Sequence, residues 1–297
     1  MKYTALITYF NSPNPADAIL SVLNQSIKPG EIIVVDDCSE VDYQLMLKEA
    51  AARYGCIYLR TNTNIGPAGA RNHGVRHSNY DNIIIFDDDD ISLPERAKVH
   101  IQELLKGCHL SYISSRKIYS NRYSTEAINE IYFGNIDPLV FCKYLLSGDD
   151  SERISKKYVP ACTLAFNKFM FDQEIPFDTD FRRLEDVDFA LRASKQNLIF
   201  SFSNVIGVDR KSSEGIDKTS QLEYEAQLKI LSKHYDLLGD DNYRKMVMWS
   251  DLRSLYFSKK YLKVLSLGIR FFLKFGVDFA KLRNGYVRII HDLRKDS

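Results

Sequence analysis

The chain predicts an α/β fold: a mostly parallel sheet covered by helices, followed by a C-terminal helical appendage. Three observations carry this. Apolar strand patterns alternate with helical ones across short loops from residue 3 to about 106. One segment, Ile83-Ile84-Ile85-Phe86, is apolar on both faces, as a strand with helices on each side must be. Beyond Ile216 the strand patterns give way to long helical ones.

Residues 3–10 form the first expected strand, closed by Asn11-Ser12-Pro13-Asn14-Pro15. Ile19, Leu20, Val22 and Leu23 then recur at helical spacing. Glu31–Val35 is a second strand running directly into Asp36-Asp37-Cys38-Ser39, and Leu45, Met46, Ala50 and Ala51 carry the next helix. Ile57–Leu59 is a short third strand. A turn from Asn62 follows and opens a helix with Pro67 near its start, where a missing N–H costs nothing. Ile83–Phe86 comes next, and a helix from Pro94 runs to about Lys106.

In a parallel sheet of this kind the ligand crevice lies beyond the carboxyl ends of the strands. Thr8–Asn11, Asp36-Asp37 and Asp87-Asp88-Asp89-Asp90 all fall at those ends. Read as extended chain, the acidic run places Asp87 and Asp89 on one side and Asp88 and Asp90 on the other. Four carboxylates capping a buried strand cost stability unless positive charge sits beside them. Oxygen ligands without His or Cys nearby in sequence suit a hard cation, Mg²⁺ or Mn²⁺, which keeps positions open for substrate phosphates. A solvated acidic loop is the alternative.

From Gly107 to about Lys157 the pattern blurs, with Tyr112, Tyr119, Tyr123, Tyr132 and Phe133 scattered among polar residues. Residues 158–166 read as extended. Leu184–Arg192 reads as a helix with Glu185, Asp186 and Asp188 in its first turn, where the helix dipole favours acids and should keep them ionised. Segments 221–238, 241–260 and 261–292 look helical, punctuated by Gly239, Gly268, Gly276 and Gly285. From Tyr243 onward Lys and Arg outnumber acids, interleaved with Phe257, Tyr261, Leu265, Phe271, Phe272 and Phe275. Such a face packs on protein or lies on an anionic lipid surface.

A formal net charge of +1 argues against a dedicated nucleic-acid binder. Five widely spaced cysteines with no C-x-x-C pair indicate neither a disulfide framework nor a zinc site, and fit a reducing compartment. The short apolar start meets Asn11 and Pro13 too soon for a signal peptide, and no stretch approaches 18 apolar residues. The expected location is the cytoplasm, with the inner face of the membrane open to the tail.

The ordered pieces Thr8–Asn11, Ser21–Ser26, Val34–Ser39, Asn64-Ile65-Gly66 with Ala70-Arg71-Asn72, Asp87–Asp90 with Pro94, and Glu185-Asp186 resemble the family 2 glycosyltransferases. The resemblance covers about the first 215 residues. It implies a GT-A domain over 1–215, with a nucleotide-sugar half to about 106 and an acceptor half from about 107, and leaves 216–297 as the helical region. It implies a hexosyltransferase that inverts configuration, taking a sugar from a nucleotide-sugar donor, UDP-linked by expectation. The acceptor would be a saccharide or lipid-linked saccharide of surface polysaccharide. Thr8, Phe10 and Asp37 would hold the nucleoside, with Arg71 near that pocket. Asp88 would face the ribose or donor sugar, Asp89 would bind a divalent metal (Mn or Mg), and Asp186 would be the base with Glu185 beside it.

Two departures from the family stand out. No Gln-x-x-Arg-Trp motif is present, which speaks against a processive synthase. The His the family often carries after its last core strand is absent from Val208-Asp209-Arg210-Lys211-Ser212, leaving Asp209 as a substitute ligand or Arg210 and Lys211 as phosphate partners. The competing readings are a non-catalytic nucleotide-binding module and a sugar-nucleotide pyrophosphorylase-like enzyme. The latter expects a Gly-rich loop where Asn11-Ser12-Pro13-Asn14 stands. A receiver domain would leave the second half of the chain idle.

Overall fold

A computed structural model describes residues 2–119, 122–124, 140, 142, 145–146, 159–211 and 221–276. Tyr132, Phe133, Tyr158, Ser212, Gly285 and the end of the third tail segment lie outside the described residues. The chain divides into two compact units, Met1–Lys218 and Thr219–Ser297.

The first unit opens with β1 (Thr4–Tyr9), α1 (Pro15–Leu23), β2 (Glu31–Asp36), α2 (Val41–Arg53), β3 (Ile57–Arg60), α3 (Gly66–Arg76), β4 (Asn82–Asp87), β5 (Asp90–Ser92) and α4 (Arg96–Leu105). The first four strands run parallel in the order β3-β2-β1-β4. Period-two alternation divides their side chains between two cores. Ile83 and Ile85 join Leu6, Ile33 and Val35 on one face, under α3. Ile84 and Phe86 join Ala5, Ile7 and Val34 on the other, under α1, α2 and α4. Each fully buried isoleucine stabilises by about 1.5–3 kcal/mol, so β4 is a firmly held strand on whose end a site can be built. Gly74 lets α3 lie close on the sheet, because a Cβ there would sit 2.2 Å from Leu6 Cδ1.

The sheet continues through β8 (Leu164–Asn167), β6 (Leu110–Tyr119) and β9 (Phe200–Lys211) to β5, with β7 (Arg122–Ser124) beside β6. β8 runs antiparallel to both β4 and β6, so the sheet is parallel on one side and mixed on the other. β6 was illegible because serines fill buried positions that a strand pattern expects to be apolar. Ser111, Ser114 and Ser115 are buried, and the Ser114 hydroxyl donates to the Ser203 carbonyl at 3.0 Å. The segment read as extended over 158–166 contains a 3-10 turn at Ala161–Thr163 before β8 begins. A short helix α5 (Phe169–Asp172) and α6 (Glu185–Lys195) complete the unit.

The acidic run differs from its extended reading. β4 stops at Asp87, Asp88 and Asp89 form a turn, and Asp90 starts β5. Four adjacent charges spread over a turn rather than along a strand, so side alternation fails there and Asp87 comes close to Asp90.

The second unit holds α7 (Gln221–Lys233), α8 (Tyr235–Phe257) and α9 (Tyr261–Phe275). Gly239 breaks the helical dihedrals of α8 with φ 69°, as its punctuating role predicts, and Gly276 ends α9 at φ 74°. Gly268, expected as a turn, lies inside α9 instead. The apolar periodicity around it carries the helix through, against a propensity cost of about 1 kcal/mol. Among the described residues no helix is long and apolar enough to cross a membrane.

Candidate active site

The carboxyl ends of β1, β2 and β4 meet because the parallel register aligns them. Thr8 pairs with Val35 on one side and Asp87 on the other, and Tyr9 pairs with Asp36. Past β1 the chain turns at Asn11, whose φ of 50° is tolerated by its short polar side chain. That turn leaves the Phe10 ring 50% exposed at the crevice mouth. The Phe10 N–H donates to Asp88 Oδ2 at 3.2 Å and ties the end of β1 to the acidic turn.

The two acids ending β2 divide their work. Asp36 is fully buried and accepts from Tyr58, Arg60 and the Ser39 N–H, a knot that fixes the loop. Asp37 closes the start of α3: its Oδ1 accepts from the Thr61 hydroxyl and the Ile65 N–H, each at 2.9 Å, and its Oδ2 from the Gly66 N–H at 2.7 Å. Oδ1 is thereby filled and Oδ2 retains one lone pair. Gly66 is required there. Its φ is +79°, and a Cβ would lie 2.6 Å from Arg182 Nη1, which holds Asn64 at 2.7 Å.

The acidic turn is ringed by arginines from the chain itself. Arg71 is buried and donates to Asp87 at 3.3 Å and to Glu185 at 2.6 Å. Arg96 lies beneath, fully buried, over the Phe86 ring at 4.4 Å and bonded to Ser92 and the Ile85 carbonyl. Burial lowers its pKa to about 10. Arg210 pairs across β5–β9 with Asp90 and stabilises the charged forms of Asp90 and Cys162. Neighbouring Asp209 faces away, its carboxylate gripped at both oxygens by Arg116. Of Asp209, Arg210 and Lys211, the residues standing where the His is missing, Arg210 is the one seen turned toward the acids, and the Lys211 side chain lies outside the described residues.

Even so, negative charge is in surplus. Burial and the charges of Asp89 and Asp87 push Asp88 up to about 8. Burial, Asp87 and Asp89 push Asp90 up to about 7 against the pull of Arg210. Asp87, Asp90 and Cys162 each bring one ligand atom within 4.8 Å of the others, and exposed Asp89 stands on the same turn. This carboxylate set, short of positive charge, fits a divalent cation.

Asp186 lies at the start of α6, entered through Leu184 at φ 63°, a left-handed conformation that costs a non-glycine residue about 1–2 kcal/mol. Its Oδ2 accepts from the Ala161 N–H at 3.2 Å and its Oδ1 from Val187 N–H at 2.8 Å. The 3-10 turn thus joins the two acidic centres, with Ala161 on Asp186 and Cys162 beside Asp90. The helix dipole does not keep Asp186 ionised as its position suggested. Burial, then Glu185, raise it to about 7 despite Arg71. A helix N-terminus favours an anion by about 0.3–1 kcal/mol, far less than the roughly 4 kcal/mol that such a rise represents.

Sequence reasoning missed Arg96, Cys162 and the Arg116–Asp209 pair. Arg96 had a signal, an arginine two residues past Pro94 on a helix facing the core. Cys162 had none, since it meets the acids only through the fold.

A carboxylate-lined crevice at the strand ends of an open α/β sheet, with a second acid across it, defines a group-transfer enzyme that handles phosphate-bearing substrates. The model of glycosyl transferase family 2 matches residues 4–175, and the chain belongs to that family. It is a nucleotide-sugar glycosyltransferase with a GT-A-like fold. An uncharacterized glycosyltransferase of Bacillus subtilis, YwdF, is 26% identical over 229 residues, 73% of this chain and 80% of the relative. An uncharacterized glycosyltransferase of Haemophilus influenzae is 27% identical over 190 residues, 63% of this chain but 60% of that protein. Among solved structures, residues 1–349 of S. aureus TarS in complex with UDP-GlcNAc superimpose with a TM-score of 0.62 at 18% identity, over 86% of this chain and 73% of that one.

Proposed function

We propose that the protein is a non-processive hexosyltransferase that moves a sugar from a UDP-sugar to a hydroxyl of a saccharide or lipid-linked saccharide, with inversion, in the assembly of a surface polysaccharide. The observation that carries this reading is Arg71, whose one guanidinium binds both Asp87 at the donor-side strand end and Glu185 beside Asp186. It ties a donor half, to about residue 106, to an acceptor half beyond it. UDP as the nucleotide is supported by the TarS complex with UDP-GlcNAc.

In this reading the exposed Phe10 ring stacks on the base, Thr8 lies alongside, and the spare lone pair of Asp37 Oδ2 accepts a donor N–H or O–H. Asp88 faces the ribose or sugar. Asp89, on the same turn as Asp87 and Asp90, would hold a divalent cation, which when bound would neutralise charge on the departing diphosphate. Arg210 adds positive charge on the same side. Asp186 removes the acceptor proton as that oxygen bonds to the anomeric carbon. The bond from that carbon to the diphosphate breaks, and the electron pair leaves with UDP. One base opposite one leaving group requires in-line displacement, so an α-linked donor gives a β product.

The test is a panel of UDP-sugars with Mn²⁺ and saccharide acceptors, following UDP release and the anomeric proton by NMR. A β product from an α donor is expected. Retained configuration would overturn the single-base mechanism. Thermal stabilisation by UDP-sugars without turnover across the panel would reduce the protein to a binding module.

A further inference from the structure

Helix α9 carries two apolar faces, and among the described residues of its unit only one of them has a partner. Val264, Leu267, Gly268, Phe271 and Phe275 are half-buried along one side. There Phe271 meets Trp249 of α8 with ring centroids 6.1 Å apart, and Gly268 approaches Leu252. The opposite side exposes Leu262 (85%), Leu265 (63%), Ile269, Phe272 and Leu273 (77%). At 3.6 residues per turn these five fill an arc of about 100°. Lys263, Arg270 and Lys274 project together along one edge of it, with Lys259 and Lys260 at the helix start. From Leu252 to Val277 the chain holds no Asp or Glu.

We infer that this face of α9 seats the protein on an anionic lipid bilayer, the leucines and Phe272 entering the acyl boundary while the basic edge meets the headgroups. An exposed apolar stripe of this size costs free energy in water, and a helix with such a stripe and a cationic flank lies in the interfacial plane of a membrane. Charge complementarity selects the partner. A second copy of α9 offers the cations nothing to pair with, because the stretch has no acid, whereas a phosphate-rich surface does. The inference is independent of the transfer chemistry.

The test is co-sedimentation of the full chain with vesicles of phosphatidylglycerol and phosphatidylcholine, and with phosphatidylcholine alone. Binding to the anionic vesicles only, weakening as salt rises, is expected. Leu262→Glu with Leu273→Glu should abolish it. Both side chains are more than three-quarters exposed, so helical circular dichroism should be unchanged. Replacing Lys263, Arg270 and Lys274 by Gln should weaken binding about fivefold per residue. No binding even at low salt overturns the inference. So does light scattering that shows a dimer for the wild type and a monomer for the double Glu variant, since the face would then join two copies.

Discussion

Replacing Asp186 by Asn should cut turnover and shift relative stability toward the variant as pH rises, both for the same physical reason. The folded state holds this carboxyl at about 7, against 3.8 for the ordinary group, because burial and Glu185 disfavour its charge. The folded protein therefore binds a proton that the unfolded chain has already released above about pH 4. The stabilisation is complete below that point and is lost as pH rises through about 7. Between pH 5 and pH 8 the loss amounts to about 2–3 kcal/mol. Asn carries no charge and loses nothing over that interval. It can still accept one N–H, from Ala161 or Val187, but not both, a deficit of about 1–3 kcal/mol that does not vary with pH. The difference in Tm between variant and wild type should thus move in the variant's favour by about 5–10 °C from pH 5 to pH 8. Turnover should fall by about 10²–10⁴-fold, since Asn cannot take the acceptor proton, and wild-type activity should rise with pH through about 7. Differential scanning calorimetry at the two pH values, paired with UDP-release assays, reads both arms. A Tm difference that does not change with pH would refute the buried, proton-retaining carboxyl. Near-normal turnover would take Asp186 out of the mechanism and turn attention to Glu185.

UDP and Mn²⁺ together should raise Tm more than the sum of their separate shifts, because each completes the other's site. Asp89→Ala should remove that synergy without lowering the ligand-free Tm, and equal shifts in both proteins would place the cation elsewhere. Arg71→Met should cost about 3–5 kcal/mol in urea unfolding, since it strands Glu185 and Asp87 without their buried partner. An effect below 1 kcal/mol would mean that water already screens the pair.

The acids at the strand ends were legible because their sequence signals are local. Strand, turn and helix signals within the first 106 residues locate the ends of β1, β2 and β4, and the parallel register then sets Thr8 beside Asp87 and Tyr9 beside Asp36. What stayed hidden depends on pairing over long separations. Serines mask β6 because tertiary partners satisfy their buried hydroxyls, Ser203 for Ser114 across the sheet and His100 of α4 for Ser111. Cys162 and Arg210 reach the acids only through β8 and β9. The protonation of Asp186 was misjudged because helix position is a local signal, while the burial and neighbouring charge that overrule it come from packing.

That last case shows how the site is kept workable. Four adjacent carboxylates and a fifth with a raised pKa are a standing source of instability, and the chain meets it on two levels. Arg71, Arg96 and Arg210 each come from a different element, so the acidic turn is neutralised only when α3, α4 and β9 are all in place. Neutralisation stops short of completion, since Asp88 and Asp90 remain pushed up to about 8 and 7. A fourth built-in cation would quench that surplus and raise stability, and it would also remove the electrostatic reason for a metal to bind there. The doubly buried strand β4 supplies the apolar stabilisation that lets the turn at its end remain under-neutralised. A fully apolar strand segment and four consecutive carboxylates can therefore stand next to one another in sequence.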